Sequence, residues 1–195
     1  MSHAVEPVDE ILYMAEREPA PGRLQLVQRF VNTVDYEHGR EVLSEPSRLG
    51  RLLVELGLLD AGAAVGADDL RRALDVREAL RSLALANNGH DVDAARLAVL
   101  EEAAAAGRLT VRFDGPHAVL APDGPGVRGA LAELVAIVYT AMADGTWSRL
   151  KACDRDVCGW LFYDRSRNRS ARWCQMAVCG NRTKTRAYRT RRRTA

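Results

Sequence analysis

The chain has 195 residues, 47% of them hydrophobic and 28% charged, which is enough for one medium domain with a small appendage. Its formal net charge of +2 conceals a polarised molecule, because residues 151–195 hold 13 of the 28 Lys/Arg and only three of the 26 Asp/Glu. That split excludes a uniformly basic packaging protein and an acidic disordered tail, and points to an acidic globular body with a basic C-terminal end.

Residues 1–22 carry Pro7, Pro19, Pro21 and Gly22 among acidic side chains and read as a loosely ordered N-terminal arm. They lack the apolar core of a secretory signal, so a cytoplasmic location is expected. Leu24, Leu26, Val27, Phe30, Val31 and Val34 recur at spacings of mostly three and four, predicting a helix over 23–35. Pro46 suits the first turn of a second helix that runs through Leu49, Leu52, Leu53 and Leu56 to Gly57. A long helix is expected from about Asp68 to Ala86, with Leu70, Ala73, Leu74, Val76, Leu80 and Leu83 inward, its arginines facing water, and Asn87-Asn88-Gly89 as its stop.

Asp91 is expected to cap the next helix, Val92–Ala106. Leu109–Phe113 alternates with period two, turns at Asp114-Gly115-Pro116 and resumes at Ala118-Val119-Leu120, which predicts the body's one hairpin. A final helix over Val127–Ala143 is apolar on most sides and belongs at the centre; its apolar run, interrupted by Glu133 and Thr140, is shorter than the ~20 residues that cross a bilayer. No membrane partner is expected.

All four cysteines fall in the last stretch, as Cys153-x4-Cys158 and Cys174-x4-Cys179. Two close pairs across a short loop suit a closed tetrahedral zinc site, since each pair can form a knuckle and four thiolates leave no open catalytic position. A redox thiol pair or an iron–sulfur cluster is the alternative, the first weakened by the absence of a two-residue spacing. Gly159–Asp164 reads as a strand between the pairs, and the second pair leads into a helix, giving a treble-clef-like order. The fold class expected is mainly α (α+β): a helical body over 23–146 with one hairpin, and a four-cysteine finger over 147–195.

Cys179-Gly180-Asn181-Arg182, the three preceding cysteines, Gly159-Trp160-Leu161-Phe162, Ser166-Arg167-Asn168-Arg169-Ser170 and Arg172-Trp173-Cys174 together resemble the CGNR zinc finger. Members of that family commonly carry an N-terminal ABATE domain, a family named for stress-induced transcription regulation. Here Phe30-Val31-Asn32-Thr33-Val34-Asp35, Pro46, Leu49 and Gly57-Leu58-Leu59 resemble its opening. The resemblance implies a bacterial regulator that binds one structural zinc ion and DNA.

The basic end offers the nucleic-acid candidates. In a helix, Arg182, Arg186, Arg189 and Arg193 fall on one stripe widened by Lys184, and Arg165, Arg167 and Arg169 alternate, so an extended loop would turn all three to one side. Trp160, Phe162 and Trp173 read as the finger's miniature core rather than as stacking platforms. The tail could alternatively dock on the acidic body.

In the body, Asn32, Asp35, Glu37 and His38 either cap a helix and its turn or line a small-molecule effector pocket, with Asn32 and Asp35 as the pocket candidates. The four histidines read as solvent or turn residues, and no catalytic constellation is found. The function expected is DNA-binding transcriptional regulation by a signal-sensing or assembly body, as a homodimer if two half-sites are read, at the nucleoid. An RNA- or ribosome-associated zinc protein and a protein-interaction module are the rivals.

Overall fold

A computed structural model describes residues 19–183 together with Thr185 and Arg192. Most of the expected N-terminal arm lies outside these residues. Its described end is tied down: Ala20 is buried and its N–H donates to Gln28 Oε1 at 2.7 Å.

Helix α1 is Leu24–Val31, with Leu24, Val27, Phe30 and Val31 turned into the core. It stops four residues before the expected end because the chain turns extended: β1 (Val34–Asp35) pairs antiparallel with β2 (Arg40–Glu41). The hydrophobic pattern gives no sign of this second short hairpin. Its turn is closed by Asp35, whose Oδ1 accepts the His38 N–H at 3.1 Å while Oδ2 meets the His38 ring at 2.6 Å.

Helix α2 (Pro46–Glu55) begins on its proline, and α3 (Ala67–Ala86) is the long helix expected. Helix α4 (Ala94–Ala106) is capped by Asp93, which accepts the Ala95 N–H at 2.9 Å, two residues beyond the expected cap at Asp91. The hairpin β3 (Leu109–Asp114) and β4 (His117–Pro122) has the predicted position, in a register that pairs Leu109 with Pro122 and Asp114 with His117.

Helix α5 (Gly126–Ala143) is central: Val127, Ala130, Leu131, Leu134, Ile137, Val138 and Ala141 are buried, and it packs on α1, α3, α4 and β4. It is long and apolar enough by composition to cross a membrane, but more than half of it is buried inside the protein, as in a core helix. A 3-10 turn, Trp147–Arg149, leads to β5 (Leu150–Ala152), which pairs antiparallel with β6 (Leu161–Tyr163). The architecture is α+β, dominated by helices, with three separate two-stranded sheets among the described residues.

The core does not end where the cysteine-bearing segment begins. Leu150, Ala152 and Leu161 are as buried as Phe30 and Leu80 and belong to the same cluster, because β5 lies on α3 and β6 on α1. Burying three such side chains across the junction contributes several kcal/mol at about 25 cal/mol per Å² of apolar surface, so body and finger share one core.

Candidate zinc centre and arginine face

The β5–β6 hairpin carries the first cysteine pair at its tip. Cys153 N–H donates to Trp160 O at 2.8 Å, extending the ladder, and Cys158 N–H donates to Arg155 O at 2.9 Å, closing a tight knuckle. The hairpin therefore flanks the first pair, where the treble-clef-like reading placed it after the knuckle. Of the second pair, Cys174 lies in a bend and Cys179 within the π-helical turn that follows, Met176–Gly180, which runs into helical residues Asn181–Thr183. Gly180 leaves room for its neighbours: a Cβ there would lie 2.4 Å from Met176 Sδ and 3.3 Å from the Trp173 ring, so the Met176 side chain would have to shift.

All four Sγ atoms lie within 4.8 Å of one another, and Cys158–Cys174 and Cys174–Cys179 are each 3.7 Å apart. A tetrahedron with Zn–S bonds of about 2.3 Å has edges of about 3.8 Å, so the sulfurs stand where zinc needs them and far beyond disulfide distance. Cys153 and Cys179 are buried, and among the described residues no His or carboxylate joins the four thiols, which close the shell and make the zinc structural. The four thiols compete for their protons. Hydrogen bonds from the Cys158 and Cys174 thiols, joined by the N–H groups of Cys174 and Arg155, pull Cys153 down to about 2. The same sharing pushes Cys158 up to about 12, its bond with Cys153 first, and Cys174 above the usual thiol range. A divalent cation resolves that competition by stabilising all four thiolates together.

The basic loop after β6 is folded, not extended. Lys151 and Asp164 form a buried ion pair at 2.9 Å, and the ammonium also donates to Arg169 O (2.6 Å) and Ala171 O (3.1 Å). Asp164 accepts the N–H groups of Ser166 (2.9 Å) and Ala171 (3.0 Å), so the loop closes around this pair. Burial opposes the charge on Asp164, but the Ser166 and Lys151 hydrogen bonds outweigh it and hold the carboxyl below its usual range. The extended conformation that the alternation of Arg165, Arg167 and Arg169 assumes is therefore absent from this loop. Arg165 donates to Pro19 O at 2.8 Å and lies over the Tyr163 ring, while the Arg167 and Arg169 side chains are exposed without a partner among the described residues. Arg182 is described and exposed; Lys184, Arg186, Arg189 and Arg193 lie outside the described residues.

The body grips this finger through polar side chains. Asn32 is fully buried and behaves as a strand partner, accepting the Leu161 N–H at 2.7 Å and donating to Leu161 O at 2.9 Å. Its backbone N–H also closes α1 on Gln28 O at 3.0 Å, so Asn32 caps that helix as expected, but both ends of its buried amide are spent on Leu161 rather than on an effector pocket, and Asp35 is spent on the turn with His38. Asn87 Nδ2 donates to Trp147 O and Leu150 O, and Asn88 Nδ2 to Ala152 O and Arg172 O, so the expected helix terminator is also a clamp. His90 meets Asp154 of the first knuckle at 2.5 Å.

Two arginines of α3 expected in water are buried. Arg77 forms a two-pronged pair with Glu41 at 2.7 and 2.8 Å. Arg81 reaches Glu78 at 3.0 Å, Val31 O at 2.8 Å and Gly159 O, with its guanidinium 5.0 Å from the Tyr36 ring. Gly159 has φ +58°, which favours glycine, and a Cβ there would make tight contacts with Arg81 Cδ (3.3 Å) and the Tyr36 ring (3.4 Å). Helical periodicity cannot mark such arginines, because their partners come from distant segments. Finally, Glu37 on the β1–β2 turn pairs with Arg155 at 2.8 and 3.0 Å and with Arg182. The Arg155 hydrogen bond, chiefly, lowers its carboxyl below the usual range.

Four thiolates on two knuckles, wedged by polar clamps into a helical body, define a zinc-finger protein whose finger and body are one unit. Residues 24–145 match the family model ABATE, described as "Putative stress-induced transcription regulator", and residues 149–192 match the CGNR zinc finger. The chain belongs to the ABATE family and carries a CGNR zinc finger with one structural zinc ion. No curated protein matches it at a significant level.

Proposed function

We propose that the protein is a DNA-binding regulator of transcription, cytoplasmic and nucleoid-associated, acting by position and charge without turnover. The observation that carries this reading is the arginine loop: Arg167 and Arg169 project, unpaired among the described residues, from a segment locked by Lys151 and Asp164 against the zinc-bearing hairpin. A rigid support for unpaired guanidinium groups lowers the entropic cost of gripping phosphates, and the net charge of the C-terminal end supplies long-range attraction. Arg182 and the residues after it would add groove or backbone contacts.

An effector of the body would enter elsewhere than at Asn32. The cleft between α5 and β4, about 400 Å³, is lined by Leu24, Leu120, Ile137 and Thr140 together with the Arg23–Glu133 pair, and suits a small, mostly apolar ligand.

The test is competition binding of the zinc-loaded chain to genomic duplex fragments and to structured RNA across a salt series. Retention of a few duplex fragments near ~200 mM salt, where phosphate contacts alone have weakened by orders of magnitude, supports a sequence-reading regulator. Preference for RNA at equal salt, or no binding to either, overturns it.

A further inference from the structure

We propose that Arg155 and Arg182 form a phosphate-group site at the edge of the zinc centre, and that the carboxylate of Glu37 occupies it in this conformation. Arg155 lies between the first two cysteines and Arg182 three residues after the fourth, so the metal centre fixes both positions. Both guanidinium groups converge on one carboxylate: Arg155 places Nη1 and Nη2 on the two Glu37 oxygens, and Arg182 reaches the same Oε1. A fork on two oxygens with a second cation alongside is also how arginines hold a phosphate, whose larger charge the pair would favour over a carboxylate.

The geometry allows exchange. Glu37 sits on the exposed four-residue turn between β1 and β2, and its side chain keeps about a quarter of its surface in water at 27%. An anion can therefore displace it without opening the core. A purely structural tie is the competing reading, but Asn32, Arg81, Asn87 and Asn88 already seat the finger through hydrogen bonds to its backbone. An exposed ion pair adds little to that. Arg155 is absent from the candidates the sequence offers because it lies inside the cysteine spacing, where an arginine reads as filler.

The phosphate source is the nucleic acid of the functional reading above, although the site itself does not depend on it. The experiment compares the zinc-loaded full chain with Glu37→Gln and with Glu37→Gln/Arg155→Gln, after zinc content and unfolding midpoint confirm that each is folded. Each is titrated with a duplex oligonucleotide across a salt series and, separately, with inorganic pyrophosphate followed by the arginine Nε–H resonances. Glu37→Gln is expected to bind duplex about tenfold more tightly, with a salt slope steeper by about 0.9 for each phosphate newly neutralised. Pyrophosphate is expected to shift the Arg155 and Arg182 resonances, strongly in Glu37→Gln and weakly in the parent, and the double variant to lose the gain.

Pyrophosphate shifts without duplex binding would support the site while removing the nucleic-acid reading. Equal duplex binding by all three proteins, with neither arginine shifted, would overturn the site and leave that reading standing. Silence to both probes would overturn both.

Discussion

Replacing Asn32 with alanine removes the side chain that bonds body to finger most directly. Both Asn32 and Leu161 are fully buried, so the two bonds at 2.7 and 2.9 Å have no water to replace them. The Leu161 carbonyl keeps a longer bond from Gln28 at 3.3 Å, but its N–H is orphaned. One lost neutral hydrogen bond costs about 1 kcal/mol and an orphaned buried donor about 1–3 kcal/mol, so the variant should lose roughly 2–4 kcal/mol. At about 2–4 °C per kcal/mol for a chain of this size, the midpoint should fall by roughly 5–15 °C. Urea unfolding at fixed excess zinc measures this, with an unchanged slope confirming that the same transition is compared. Asn32→Asp should cost at least as much, since it sets a carboxylate against the Leu161 carbonyl. A loss below about 1 kcal/mol in both variants would refute the claim that Asn32 is a strand partner for β6.

Three further outcomes follow from the same geometry. Asp164→Asn should cost about 3–5 kcal/mol in urea unfolding, because it strands the buried Lys151 ammonium. Asp164 titrates below its usual range in the folded protein, so its contribution is complete above the ordinary Asp range and lost as pH falls through the depressed value. The gap between parent and variant should thus stay constant from neutral pH down to that range and narrow only beneath it. Gly159→Ala should cost about 1–2 kcal/mol by midpoint shift, from the positive φ and the contact with Arg81 and Tyr36, whereas a neutral result would mean the knuckle can rotate away. Phe113, which is 80% exposed at the tip of β3, should tolerate serine within ~0.5 kcal/mol, and a larger loss would mean a partner covers it.

The helices and the β3–β4 hairpin are readable in the sequence because each buries one face, so apolar spacing reports them directly. The zinc ligands are readable because four thiols in two close pairs across a short loop suit a metal. What escapes are polar residues whose partners lie far along the chain. Arg77 and Arg81 fall on a helix whose arginines look solvated until Glu41, Val31 and Gly159 are brought beside them. Asn32, Asn87 and Asn88 read as caps because asparagine is common at helix ends, yet each amide holds a backbone group of the finger. The loop from Arg165 to Arg169 reads as extended when alternation is counted without the Lys151–Asp164 pair that folds it. In each case local pattern sets the expectation and a long-range hydrogen bond adds to it, as at Asn32 and Asn87, which also end their helices, or overrides it.

The central claim is that the zinc centre and the body are one cooperative unit, joined through β5, β6, α1 and α3. Amide hydrogen exchange of the zinc-loaded chain, before and after chelation under reducing conditions, tests it most directly. Loss of metal should release not only the knuckle amides but those of Leu161, Leu150 and the facing turns of α1 and α3. If the helical body keeps its full protection while only residues 153–182 exchange freely, the finger is an independent appendage and the claim of a single unit is contradicted.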